Sequence, residues 1–154
     1  QGAATELIAE VPPQVSIWED DVSNLLYSPG DFCYLIEAMD SQSGPTGGMN
    51  YALSNEMCLT QVPVLWVPNA LLIGGYNDVF MPVVSFADFD QYHMEIHNRW
   101  GDVIFSSDQI GFGWNGMHMG VPAPEGSYGY FISIRDGAGR IYETTGLVHL
   151  LVGE

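Results

Sequence analysis

YHMEIHNRWGDVIF, residues Tyr92–Phe105, decides the fold. Tyr92, Met94 and Ile96 alternate with His93, Glu95 and His97, the period of a strand with one wet face. Trp100-Gly101-Asp102 reads as a tight turn. Gly101 can take the positive φ that a three- or four-residue hairpin loop with a bulge requires. Val103-Ile104-Phe105 then returns. The stretch predicts a β-hairpin.

Residues 64–154 continue in the same way. Val64–Asn69, Asp78–Val84, Gln91–Arg99, Asp102–Ser106, Ser127–Arg135 and Arg140–Val152 read as strands. Glycine-rich turns separate them, among them Gly111-Phe112-Gly113 and Asp136-Gly137-Ala138-Gly139. No apolar pattern has a helical period, so six or more strands at this spacing predict an antiparallel β-sandwich. Tyr128, Tyr130, Ile132 and Ile134 share one face of their strand. Arg140–Val152 is long enough to bend at Gly146 and serve both sheets. Its last part carries Leu147, Val148, Leu150 and Leu151, which predicts burial on both faces, or on one face with the edge meeting a partner.

Residues 1–62 hold nine carboxylates and no basic residue. Glu6–Val11 and Val15–Trp18 are apolar enough for short strands. Phe32–Met39 and Tyr51–Thr60 are better ones, joined by a Gly/Ser/Pro-rich loop at Asp40–Gly48. Each carries one of the two cysteines, Cys33 and Cys58. Strand, long loop, strand suits neighbouring antiparallel strands of an immunoglobulin-like sandwich, which needs about seven strands and 100 residues. This half has too few of either, so residues 1–62 are expected to be the C-terminal part of such a module or a reduced version of one. Asp21-Val22-Ser23 leading to Phe32–Ala38 resembles the last strands of fibronectin type III-like modules. Gln61-Val62-Pro63 is the junction, and Pro63 and Pro68 make it short and stiff.

The 154 residues suit one ordinary domain or two small ones, and the apolar content of 47% predicts a packed core. Nineteen carboxylates stand against three arginines, for a net charge of −16. That excludes nucleic-acid binding and docking on an anionic membrane surface, both of which need Lys and Arg. No apolar run reaches the ~18 residues of a membrane helix. The first residues lack the basic and apolar parts of a signal peptide, which fits a cytosolic chain or a piece of an exported one. In an oxidising compartment Cys33 and Cys58 would pair; in the cytosol they would be two buried thiols.

Three groups bear on chemistry. His93, Glu95 and His97 have the residue types of a zinc protease motif. That motif needs a helix with Glu directly after the first His, so an exposed polar face is expected instead. Asp20-Asp21, Asp88 and Asp90 could pair as glycosidase acids, but all sit where Asp caps turns. Trp100 and Trp114 stand beside glycines, where a Trp is either a core plug or a binding aromatic. No nucleophile–base pairing or phosphate loop is present, so no catalytic residue, metal or cofactor is expected. The alternative to the reading below is a carbohydrate-binding or adhesive β-sandwich.

A set of motifs runs in order through the second half. Val67-Pro68-Asn69-Ala70 opens it, and Asn77-Asp78-Val79-Phe80 follows. Then come Met94–Gly101 with Val103-Ile104-Phe105, Gly113-Trp114-Asn115-Gly116, and Val121–Tyr128. Gly139-Arg140, Tyr142-Glu143 and Thr145–Val148 close it. Together they resemble the gliding motility-associated C-terminal domain, the type B sorting domain of the type IX secretion system. The resemblance covers about Val64 to the end. With the fibronectin-like reading of 1–62 it gives two tandem all-β immunoglobulin-like sandwiches, 1–62 incomplete and 63–154 the sorting domain. It further implies export across the outer membrane to the cell surface, and recognition as a folded domain by an outer-membrane β-barrel, a PorV-type shuttle or a PorP/SprF-like protein, with its translocon. In an exported chain Cys33 and Cys58 are expected to form a disulfide. Arg99, Trp100, Trp114, Leu147, His149 and Leu151 are the residues expected to meet the partner. The family's acidic Thr-Pro-Asn-Gly-Asp-Gly loop is replaced here by Leu71–Tyr76, which removes its calcium-like character.

Overall fold

A computed structural model describes residues 5–40 and 50–153. Among these residues, apart from one 3-10 turn at Val22–Leu25, every regular element is a strand. In chain order these are β1 (Asp31–Tyr34), β2 (Glu37–Met39), β3 (Tyr51–Leu53), β4 (Met57–Thr60), β5 (Val64–Trp66), β6 (Ala70–Ile73) and β7 (Val83–Ser85). There follow β8 (Asp88–His97), β9 (Val103–Ser107), β10 (Met117–His118), β11 (Val121–Pro122), β12 (Gly126–Arg135) and β13 (Ile141–Val152).

The second half is a two-layer β structure. One layer is a five-stranded sheet in the order β6-β13-β12-β8-β9. The other is assembled from smaller pieces: β5 against β7, a Phe80–Trp114 bridge, and β10 against β11. The alternation read from Tyr92–Phe105 places Tyr92, Met94 and Ile96 in the core and turns His93, Glu95 and His97 outward. Tyr128, Ile132 and Ile134 come from β12, Val148 and Leu150 from β13, and Phe80 and Trp114 close the core from the second layer. Burial pushes the Tyr92 phenol up to about 12, and its hydroxyl donates to the Met94 sulfur.

Two expectations change here. The long last strand does not bend at Gly146 to join both sheets. It pairs with β12 from Ile141 to Leu150 and with β6, in parallel, over its last four residues. Gly146 instead makes room for the Tyr130 ring, whose hydroxyl would collide with any Cβ there. Leu71–Ile73, expected as loop, lies in β6, with Leu71 fully buried. Apolar residues at the place of the family's acidic loop extend the sheet by one strand, and Asn77 closes the following turn onto the Ala70 carbonyl at 2.5 Å.

In the first half, β1 pairs with β4 and β2 with β3, antiparallel, as one interrupted hairpin. Cys33 lies directly opposite Cys58 and the two form a disulfide. The joining loop lies outside the described residues from position 41 to 49. Glu6–Val11 and Val15–Trp18, expected as strands, carry no ladder, and Pro12 and Pro13 withhold donors between them. Among the described residues of 5–62 only Gly30 is buried.

That glycine belongs to a contact joining the halves. Phe86 N–H donates to the Leu26 carbonyl (2.8 Å) and Gly137 N–H to the Pro29 carbonyl (3.0 Å), while within the first half Gln61 N–H donates to the Gly30 carbonyl (2.7 Å). Tyr27 meets Phe89 and Phe32 meets Phe86, both edge to face. A Cβ on Gly30 would lie 2.9 Å from the Phe86 Cβ, and one on Gly137 would lie 2.8 Å from the Asp31 Cβ. Phe86 itself sits at φ 57°, a left-handed conformation uncommon outside glycine.

Candidate functional site

The site is built from the hairpin tip of β8–β9 and the outer face of the five-stranded sheet. At the tip, Asn98 organises the turn. Its side-chain oxygen accepts from Trp100 N–H (2.9 Å) and Asp102 N–H (3.0 Å), and its amide donates to the Asp102 carboxylate (3.0 Å). Gly101 takes φ 89°, the left-handed conformation its place in the turn demands. The clamp projects Trp100 into solvent, 75% exposed, and the Arg99 guanidinium lies 4.8 Å from the centre of its ring.

Behind the tip runs a groove of about 390 Å³ lined by Arg99, Trp100, His118, Glu125, Ser127 and Tyr128, among others. Ser127 connects it to the sheet face, since its hydroxyl lies 2.9 Å from His149 Nδ1. Leu147, His149 and Leu151 follow one another along the exposed side of β13. Arg99 and Trp100 therefore neighbour the Leu147–His149–Leu151 row through Ser127. Trp114 is separate. It is fully buried, its indole N–H donates to the Met117 carbonyl at 2.9 Å, and its ring meets Tyr128 edge to face. It holds the second layer and presents nothing to a partner. Both tryptophans stand beside a glycine, so local sequence could not separate them.

The three arginines also differ. Arg140 is bound to Asp136 through its backbone N–H and its Nε (2.6 Å). Burial works against the Asp136 anion, but those bonds and one from the Tyr142 hydroxyl outweigh it and hold the carboxyl below its ordinary value. This network fixes the turn that carries Gly137 to the first half. Arg135 Nε is buried without a partner. Arg99 is the cation displayed beside an exposed aromatic.

Elsewhere on the face, Glu95 bridges two histidines. His93 Nε2 lies 3.1 Å from one of its oxygens and His97 Nε2 lies 3.0 Å from the other. His93 Nδ1 meets Asp108 at 2.5 Å. The Asp108 bond, then the Glu95 bond, raise the His93 imidazole above its ordinary value, and the His93 bond lowers Glu95. The three side chains form a line, not a cage, because each carboxylate oxygen serves a different ring. Among the described residues the one cluster with metal-ligand spacing is Cys33, Glu56 and Cys58, and both its sulfurs are committed to the disulfide. Three of the four aspartates weighed as acids hold structural hydrogen bonds. Asp21 caps Ser23 N–H, Asp20 accepts the Tyr34 hydroxyl, and Asp88 accepts Asp90 N–H.

Residues 65–150 match the family model described as the CHU_C type IX secretion signal domain. This is more than half of the chain, and it contains the whole of the hydrophobic core cluster. The chain belongs to the type IX secretion signal domain family. No curated protein matches it. Signal domains of this family are sorting modules, not catalysts, and carrying one implies export through the type IX system and interaction with it. Among the described residues no helix is long and apolar enough to cross a membrane.

Sequence reasoning named Arg99, Trp100, Leu147, His149 and Leu151 as expected partner residues, and the structure places all five at the surface. Sequence reasoning missed the junction on Gly30, Phe86 and Gly137. The Asp136–Gly139 glycines read simply as a turn, and only their long-range neighbours show that Gly137 is also a docking point.

Proposed function

We propose that this chain is the C-terminal sorting end of a large exported protein, recognised as a folded domain by an outer-membrane barrel of the type IX machinery and delivered to the cell surface. It catalyses no reaction. The observation that supports this most is coincidence: the family match, 65–150, falls on the part of the chain that owns the hydrophobic core. A signal of this length that encloses its own hydrophobic core suits recognition of a folded surface better than recognition of a linear tag. Arg99 and Trp100 at the tip, with Leu147, His149 and Leu151 beside them, supply that surface, and PorV-type or PorP/SprF-like barrels are the partners the family relation favours. Residues 1–62 are then the end of an immunoglobulin-like cargo or stalk module.

The test keeps the motifs and removes the fold. Ile96→Asp buries a charge among apolar side chains with no partner for it. Fused behind a reporter in a bacterium with a type IX system, the wild-type chain should reach the surface and Ile96→Asp should not. Surface delivery of the variant at wild-type levels, with the purified variant shown to be unfolded, would overturn the folded-surface reading.

A further inference from the structure

The five-stranded sheet has a β9 edge and a β13 edge, and they are treated differently. At β9 the Ile104 carbonyl accepts from His118 Nδ1 (3.2 Å), and Phe105 stacks on Phe112 with ring centres 5.9 Å apart. The 108–118 segment folds over that edge. At the other side β6 covers only His149–Val152 of β13. The chain before β6 leaves for the second layer, where Val64–Trp66 pairs with β7. Residues 141–147 of β13 thus have β12 on one flank and, among the described residues, no strand on the other.

One bond tells which groups face the gap. His149 N–H donates away from β12, to the Asn69 carbonyl at 2.9 Å. Backbone groups alternate along a strand, so the N–H and C=O groups of Ile141, Glu143, Thr145 and Leu147 also point outward from the sheet. Natural edges of this kind are blunted by Lys, Pro, bulges or a covering loop. Here the β12–β13 register runs without a shift, and the residues are Ile141-Tyr142-Glu143-Thr144-Thr145-Gly146-Leu147.

We propose that this edge accepts an extended strand from a second protein, which completes the sheet by main-chain pairing. Resting on the secretion reading above, that strand belongs to the export machinery. Charge decides against a second copy: each copy carries −16, and two would also set their Glu143 side chains along one seam. A strand with Lys or Arg opposite Glu143 gains a cross-strand ion pair. Apolar side chains on the same face of that strand as its cation would cover Ile141 and Leu147, both largely exposed on the outer face.

Two readouts test this independently. In the export assay, Thr145→Pro removes an outward N–H and leaves the β12 ladder intact, a placement that proline tolerates at an edge. Glu143→Lys reverses the charge on an exposed side chain. Both should lower surface delivery at least about tenfold while the purified variants keep a cooperative melt. Ser106→Pro, on the covered β9 edge, should stay within about twofold of wild type. Wild-type delivery of Thr145→Pro and Glu143→Lys overturns the proposal; if Thr145→Pro does not fold, Glu143→Lys decides alone. The second readout needs no export. A soluble strand peptide carrying Val, Lys, Thr and Val at every second position, so that all four share one face, is added to the purified chain and amide exchange is followed. Slowed exchange at Glu143, Thr145 and Leu147, lost in Thr145→Pro, supports the edge even where the wild-type chain is not exported, an outcome that would sink the secretion reading alone. Unchanged exchange at those amides overturns the edge. A stable dimer of the chain alone with these amides already protected overturns the choice of a foreign partner.

Discussion

Residues 5–62 and 63–153 are both rich in apolar side chains, yet only the second set is buried. Ile36, Tyr51, Leu53, Met57 and Leu59 of the hairpin are exposed, while Met94, Ile96, Ile132 and Leu150 of the signal domain are sealed. The difference is one of layers. An isolated two-stranded ribbon has nothing to press its face against and is marginal in water. Five strands backed by a second layer can close a core. Hydrophobic content therefore marks the chance of a core, and strand number decides whether one forms. The hairpin is held by other means: the Cys33–Cys58 bond and its contact with Phe86, Phe89 and Gly137.

The sharpest break of this comparison is the same charge placed in each half. Ile132→Asp, at a fully buried site, should cost more than about 4 kcal/mol and abolish the cooperative melt. Ile36→Asp, 71% exposed, should stay within about 0.5 kcal/mol of wild type. Equal losses in a thermal or urea melt would mean that the hairpin shares the core after all.

The disulfide comes next. Its closed loop spans a sequence separation of 25, for which the chain-entropy model gives roughly 3 kcal/mol. Cys33→Ser with Cys58→Ser should make 31–60 a fast target for protease while the signal domain melts unchanged. A fall of the main transition by the full amount would show the two halves to be one cooperative unit.

Gly137→Ala tests the junction. The new Cβ must displace Asp31 or Pro29, an overpacking cost of about 1–3 kcal/mol that the weak contact can relieve by opening. Small-angle scattering should broaden from a single separation of the halves to a distribution, with the melt of the signal domain preserved. An unchanged scattering profile would mean that the contact yields elsewhere.

The β8–β9 hairpin and β12 were legible because alternation is a local code and Gly101 names its turn. The signal-domain identity was legible because its motifs recur in order. What escaped depended on partners far along the chain. Gly146 read as a bend, and only Tyr130, sixteen residues earlier, shows that it serves a close approach instead. Trp100 and Trp114 have alike neighbours and opposite fates, since one caps a solvent-facing turn and the other faces Tyr128. Glu6–Val11 and Val15–Trp18 have strand composition, but a strand exists only with a neighbour to pair. Of the candidate site, Arg99, Trp100, Leu147, His149 and Leu151 could be named in advance, but their proximity through Ser127 could not.

The smallest effect lies on the outer face of the sheet, at Asp108–His93–Glu95–His97. His93 has a raised value in the folded chain, so its contribution is fully present below the ordinary histidine value near 6.5 and fades as pH rises through the folded value. Glu95 is lowered, so its contribution is present above its ordinary value near 4.5 and fades as pH falls through the folded one. The two windows overlap between about pH 4.5 and 6.5, where the line of bonds is charged at both residues and strongest. Exposed pairs of this kind contribute about 0–1 kcal/mol and less at high salt. The wild-type melt should therefore sit slightly higher at pH 5.5 than at pH 8, relative to a His93→Gln variant, and 1 M salt should erase most of that difference. His97 and Asp108 also face His93 and Glu95 in this line, so the variant must be compared at each pH with wild type and not across pH alone. If His93→Gln leaves the pH dependence of the melt unchanged at low salt, the line of bonds contributes nothing, and the signal domain owes its stability to the core alone.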